Sequence, residues 1–116
     1  MLQLHRTQGA LLGFLALMTA ACTYPAYGQD GSRAVRRGER LVSARCAMCH
    51  AIGRADTSPH RAAPPLRIVL QRYPTESLQE SLIEGLTSGH PDMPTFRFTD
   101  GDAAAILAYL EAIRQR

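Results

Sequence analysis

Cys46-Ala47-Met48-Cys49-His50 is the stretch of this chain whose residue types and spacing can do chemistry. Two thiols three residues apart fall near one face of a helical turn, and an imidazole follows directly. The pattern is C-x-x-C-H, the attachment sequence for a c-type haem. Each thiol can add across one of the two vinyl groups of the ring to form a thioether. His50 is then placed to give the iron an imidazole nitrogen as an axial ligand. Other uses of the two cysteines need partners that the chain lacks. A redox C-x-x-C usually lies within a βαβ pattern, and no strand–helix alternation occurs here. A structural zinc site asks for a second C-x-x-C or a closely spaced histidine pair. His60 and His90 stand apart from each other.

Iron held by His50 alone keeps one position open, and what fills it decides the function. Met93 is the expected second ligand. It lies in His90-Pro91-Asp92-Met93-Pro94, where two prolines stiffen the loop and limit the entropy lost on ligation. A thioether is a soft ligand for haem iron, and His/Met ligation raises the reduction potential. His60 and His90 are the competing candidates, and either would give a bis-histidine haem. Met48 belongs to the motif itself and cannot easily reach the opposite face of the ring.

The elements that must position these groups are helices. Ser32 is expected to cap a helix running to about Cys49, with Ala34, Gly38, Leu41, Val42 and Cys46 on one face. Gly38 inside that helix costs about 1 kcal/mol relative to alanine, a cost that close approach of another helix would offset. Residues 51–63 read as loop. Pro64-Pro65 imposes extended backbone, and a short helical turn over Leu66–Gln71 follows. Thr75 is expected to cap an amphipathic helix with Leu78, Leu82, Ile83 and Leu86 inward, ending near Ser88-Gly89 with Gly89 as its C-cap. Thr99 and Asp102 form a capping-box start for a last helix that buries Ala103, Ile106, Leu107, Leu110 and Ile113, with Tyr109 beside them. Arg114 and Arg116 complement its C-terminal dipole. The fold class is all-α: three main helices and a short one.

The first 28 residues are expected to be a secretory signal peptide. His5 and Arg6 give a basic start, Ala10–Ala21 is apolar but short for a membrane span, and Ala26-Tyr27-Gly28 has the small residues of a cleavage site. Thr19-Ala20-Ala21-Cys22 offers an alternative, a bacterial lipobox with Cys22 lipidated. Export would place the protein in the periplasm, bound to membrane only through Cys22. Cleavage after Gly28 leaves one domain, residues 29–116, with a thin core that a covalent cofactor would complete. The chain has thirteen arginines and no lysine. From Gly31 to Arg72 nine arginines face two acids; from Tyr73 to Arg116 three face seven. Such a field suits an acidic docking partner. Nothing in the pattern fits nucleic acid.

These features together resemble the bacterial class I cytochromes c, over nearly all of Ser32–Arg116. Gly38 stands eight residues before Cys46, as in that family's N-terminal helix. Ala63-Pro64-Pro65-Leu66 resembles its G-P-x-L segment, Asp92-Met93-Pro94 its methionine-ligand loop, and Ala108-Tyr109-Leu110 its C-terminal helix. The resemblance implies that the carbonyl of Pro64 accepts a hydrogen bond from His50 and that the two terminal helices cross at Gly38. It also implies one covalently attached haem c per chain, with Cys46 and Cys49 holding the ring and His50 and Met93 on the iron. With both axial positions filled, the protein is expected to carry one electron between redox partner proteins, binding no small-molecule substrate and catalysing no reaction. Two other roles remain open on the residues alone. One is a dedicated haem subunit of a dehydrogenase or oxidase; the other is a haem with a labile sixth ligand acting in peroxide or gas chemistry.

Overall fold

The computed structural model describes residues 27–86 and 91–115. The expected signal segment up to Ala26, Cys22 within it, and Ser88, Gly89 and His90 lie outside the described residues. The elements are α1 (Tyr27–Arg45), a 3-10 turn (Leu66–Ile68), α2 (Val69–Arg72), α3 (Thr75–Glu84) and α4 (Asp100–Ile113). There is no strand among the described residues, and the all-α expectation holds.

α1 is amphipathic. Gly38 and Val42 are buried, Ala34, Val35 and Leu41 are half-buried, and Arg33, Arg36 and Arg40 are exposed on the other side. Asp30 in its first turn and Arg45 in its last complement the dipole. Ser32 does not cap it. The helix begins at least a turn earlier, and the Ser32 hydroxyl donates to the carbonyl of Gln29 at 2.9 Å. The regular helix stops at Arg45, yet Cys46 N–H still donates to Val42 (2.8 Å) and His50 N–H to Cys46 (2.9 Å). The haem motif therefore continues α1 as a looser helical turn.

α1 packs across α4 at Gly38. A Cβ there would lie 2.7 Å from the carbonyl carbon of Ala105 and 2.8 Å from Tyr109 Cβ, and would overlap the Ala105 oxygen. The crossing expected at this glycine is present. Thr99 caps α4 as expected, its hydroxyl accepting from Asp102 N–H at 3.2 Å. The other half of the capping box is altered. The Asp102 carboxylate accepts from the Thr99 hydroxyl (3.1 Å) and from Arg37 of α1, whose Nε and Nη2 lie 2.9 and 2.7 Å from Oδ1. A guanidinium on the neighbouring helix redirects the carboxylate, and the cap becomes a tie between helices.

α3 departs from expectation at both ends. Pro74 takes the cap position and Thr75 is the first helical residue, with no side-chain cap bond. The helix ends at Gly85, not near Gly89. Gly85 adopts φ +117°, a region that favours glycine, and its N–H closes on Ser81 O at 3.0 Å. The apolar period carried through Leu86 hid this stop. Leu86 instead follows the turn and donates to Phe96 O at 3.4 Å. The core joins Val42 of α1, Leu66 and Leu70, Leu78 and Leu82 of α3, and the buried face of α4. No described helix is long and apolar enough to cross a membrane.

Gly38→Ala should lower stability by about 1–3 kcal/mol through overpacking, despite alanine's better helix propensity; a lower urea midpoint with an unchanged slope checks it. The Arg37 hydrogen bond, then that of Thr99, hold the Asp102 carboxyl below its ordinary 3.8. A depressed folded value means that the folded state releases this proton first. The stability Asp102 contributes is present above pH 3.8 and is lost as pH falls through the folded value. Midpoints measured from pH 6 down to pH 2 should show a shallower acid loss in Asp102→Asn than in the parent.

Candidate haem-attachment site

Cys46, Cys49 and His50 are all half-buried, and neither cysteine is in a disulfide among the described residues. Val42 is fully buried one turn before Cys46, so the first thiol enters the edge of the core. Burial pushes the Cys46 thiol up to about 11. Desolvation disfavours the thiolate that a redox nucleophile would require. An uncharged thioether suits the same place. Met48 is 87% exposed.

His50 is held from behind. Its Nδ1 lies 2.7 Å from the carbonyl oxygen of Pro64. A carbonyl can only accept, so Nδ1 carries a proton, and in the neutral ring Nε2 keeps its lone pair. That is the tautomer an axial ligand needs, and the partner fixes both the proton and the ring orientation. The contact that the Pro-Pro-Leu resemblance implied is therefore present.

The loop that delivers Pro64 has no regular structure and is built from side-chain bonds to backbone. Ala51 N–H donates to Ser58 Oγ (2.9 Å), and Ile52 and Gly53 N–H donate to the two Asp56 oxygens (2.9 Å each). Those donors, Gly53 foremost, hold the Asp56 carboxyl below its ordinary value, with Arg67 adding to the effect. Arg67 also donates to Asp56 O at 2.9 Å. Leu66 N–H returns to Ala51 O (2.9 Å) and His60 N–H to Cys49 O (3.1 Å), closing the loop on the motif. From α4, the Tyr109 hydroxyl donates to Ile52 O at 2.9 Å and Arg54 reaches Ala112 O. In the sequence Asp56 and Ser58 pass as loop breakers; their bonding as turn formers follows from side-chain chemistry but not which amides they serve.

Met93 is half-buried in the loop before α4. Two neighbours tie this loop to the haem motif. Asp92 Oδ2 lies 3.7 Å from His60 Nε2, and Phe96 lies under Arg45, with 5.9 Å from Cζ to the ring centroid. His60 is exposed, and its Nδ1 accepts from Ala62 N–H at 3.2 Å. That bond occupies one of its nitrogens in loop structure. Arg45 and Phe96 are the pair that sequence reasoning missed, since neither belongs to a motif. Among the described residues no cluster of three His, Cys, Asp or Glu side chains could hold a bare metal ion. The donor set instead fits an iron already carried by a macrocycle.

A helical fold with a C-x-x-C-H turn and a backed histidine defines a small c-type cytochrome domain. The family model described as cytochrome c oxidase, cbb3-type, subunit III, matches residues 33–110, and the chain belongs to that family. Neither the curated proteins nor the solved structures provide a match. Membership implies a c-type haem, an electron-transfer role and redox proteins as partners.

Nitrogen-15 spectra of the imidazole should show the proton of His50 on Nδ1 in the folded protein. A proton on Nε2 would break the argument from Pro64.

Proposed function

We propose that the chain is an exported one-electron carrier of the periplasm, with one covalently attached haem c ligated by His50 and Met93. The observation that carries this reading is the His50–Pro64 hydrogen bond directly after two partly buried thiols. It leaves one imidazole nitrogen poised beside two cysteines spaced for the two thioether links. The haem supplies one-electron oxidation and reduction of its iron. The residues of the chain hold, orient and shield it: Cys46 and Cys49 fix the ring, Pro64 orients His50, and Met93 is the axial ligand from the second loop. Export is supported by the basic, apolar and small-residue order of the first 28 residues. Lipidation at Cys22 is the route by which the same domain would stay at a membrane surface. The expected partner surface is acidic, to match the exposed arginines.

The family's description favours a second reading, a dedicated haem subunit of an oxidase. The domain chemistry is the same in both. They differ in whether the partner is held permanently or met by diffusion. A reading with a labile sixth ligand requires Met93 to bind weakly or not at all.

The ferric spectrum decides the ligand. A methionine sulfur on ferric iron gives a weak far-red charge-transfer band in proteins of this class. The band should be present in the matured protein and absent from Met93→Ala, whose reduction potential should fall. If the two spectra agree and lack the band, Met93 is not the ligand; a high-spin iron would then favour ligand chemistry, and a low-spin iron would point to His60 or His90.

A further inference from the structure

We propose that Arg45 and Phe96 clamp the Met93 loop to the haem-binding turn, and so set how readily the methionine leaves the iron. The inference rests on the His/Met reading above and adds residues to it. Arg45 is the last residue of α1 and immediately precedes Cys46. Phe96 comes three residues after Met93, and the Arg45 guanidinium carbon stands 5.9 Å from its ring centroid, within the range of a cation–π contact. Phe96 is braced from behind. Its ring lies 6.2 Å from that of Phe98, tilted by 39°. Phe98 packs against the core, and its N–H donates to Leu82 O of α3 at 2.9 Å. The end of α1, the methionine loop and α3 thus form one continuous stack.

The other side of the loop is also placed. Asp92 meets His60 at 3.7 Å, and His60 N–H is bonded to Cys49 O. A separation of 3.7 Å is too long for a direct hydrogen bond, so this contact locates the loop and does little to hold it. Arg45–Phe96 is the stronger tie. Met93 sits between the two, and both lead back to residues flanking the haem motif. A loop located on one side and held on the other by Arg45 would keep the sulfur near the iron after the bond breaks. An external ligand must then compete with rapid rebinding. Arg45 and Phe96 are positioning residues in this scheme, since neither touches the iron.

The test is imidazole titration of the ferric holoprotein, read at the far-red band. Arg45→Gln and Phe96→Leu should each lower the half-saturating imidazole about two- to fivefold, the worth of one exposed cation–π contact. Arg45→Lys keeps a cation over the ring and should restore most of the parent value. The double variant should be no weaker than either single one, because both remove the same contact. Unchanged half-saturation in both single variants, or fully additive effects in the double, overturns the clamp. If the parent itself lacks the band, Met93 ligation and the clamp fail together. If the band is present and imidazole binding does not move, the clamp alone fails.

Discussion

A carbonyl oxygen of α4, that of Ala105, occupies the space beside Gly38 where any other residue would carry a side chain. This contact sets the distance between the two long helices, and both flanks of the haem motif hang from it. Upstream, α1 ends at Arg45 and hands the chain to Cys46 without a break in its hydrogen-bond pattern. Downstream, α4 holds the next loop through Tyr109, whose hydroxyl reaches Ile52 O, and through Ala112 O, which receives Arg54. Moving α1 away from α4 would therefore shift Cys46 and the loop behind His50 in different ways. The crossing matters to function because it keeps two segments in register around one turn.

The second dependence is local. Residues 51–63 carry no helix, yet they deliver the Pro64 carbonyl to His50 at 2.7 Å. They do so because short polar side chains supply what secondary structure would otherwise supply. Asp56 takes two backbone amides and Ser58 a third. A carboxylate so engaged would leave a negative charge near the site, and Arg67 balances it. Pro64 and Pro65 cannot donate, so the segment after the loop has few alternative pairings. Its first free amide, Leu66, closes back on Ala51. The result is a rigid acceptor made from a loop.

Much of this was legible in the sequence, for identifiable reasons. The C-x-x-C-H turn has few other uses. Gly38 in a helix interior is costly enough to demand a close neighbour, and Thr99 with Asp102 marks the start of α4. The buried face of α4 follows its period residue by residue. Boundaries were less visible where two signals competed. Ser32 is a good cap by type, but α1 already runs before it. Gly85 ends α3 four residues before Gly89, because Leu86 extends the apolar period past the true stop. Arg45 over Phe96 was not legible at all. Cation–π partners 51 positions apart in the chain leave no spacing to read, and only the packing of the methionine loop brings them together.

Charge counting along the chain also changes meaning in three dimensions. The arginine-rich segment and the acid-rich segment are not separate faces, because α1 and α4 pack on each other. Arg37 spends its charge on Asp102, Arg67 on Asp56, and Arg54 on a helix-end carbonyl. Arg45 is engaged with an aromatic ring. These arginines act as ties that hold the motif's surroundings, a use in which a planar fork of donors outperforms an ammonium. Among the described residues Arg36 and Arg40 of α1 make no ion pair, and Arg33 only a long one of 3.9 Å to Asp30. Four of the nine arginines between Gly31 and Arg72, namely Arg37, Arg45, Arg54 and Arg67, have a geometric task as well as an electrostatic one.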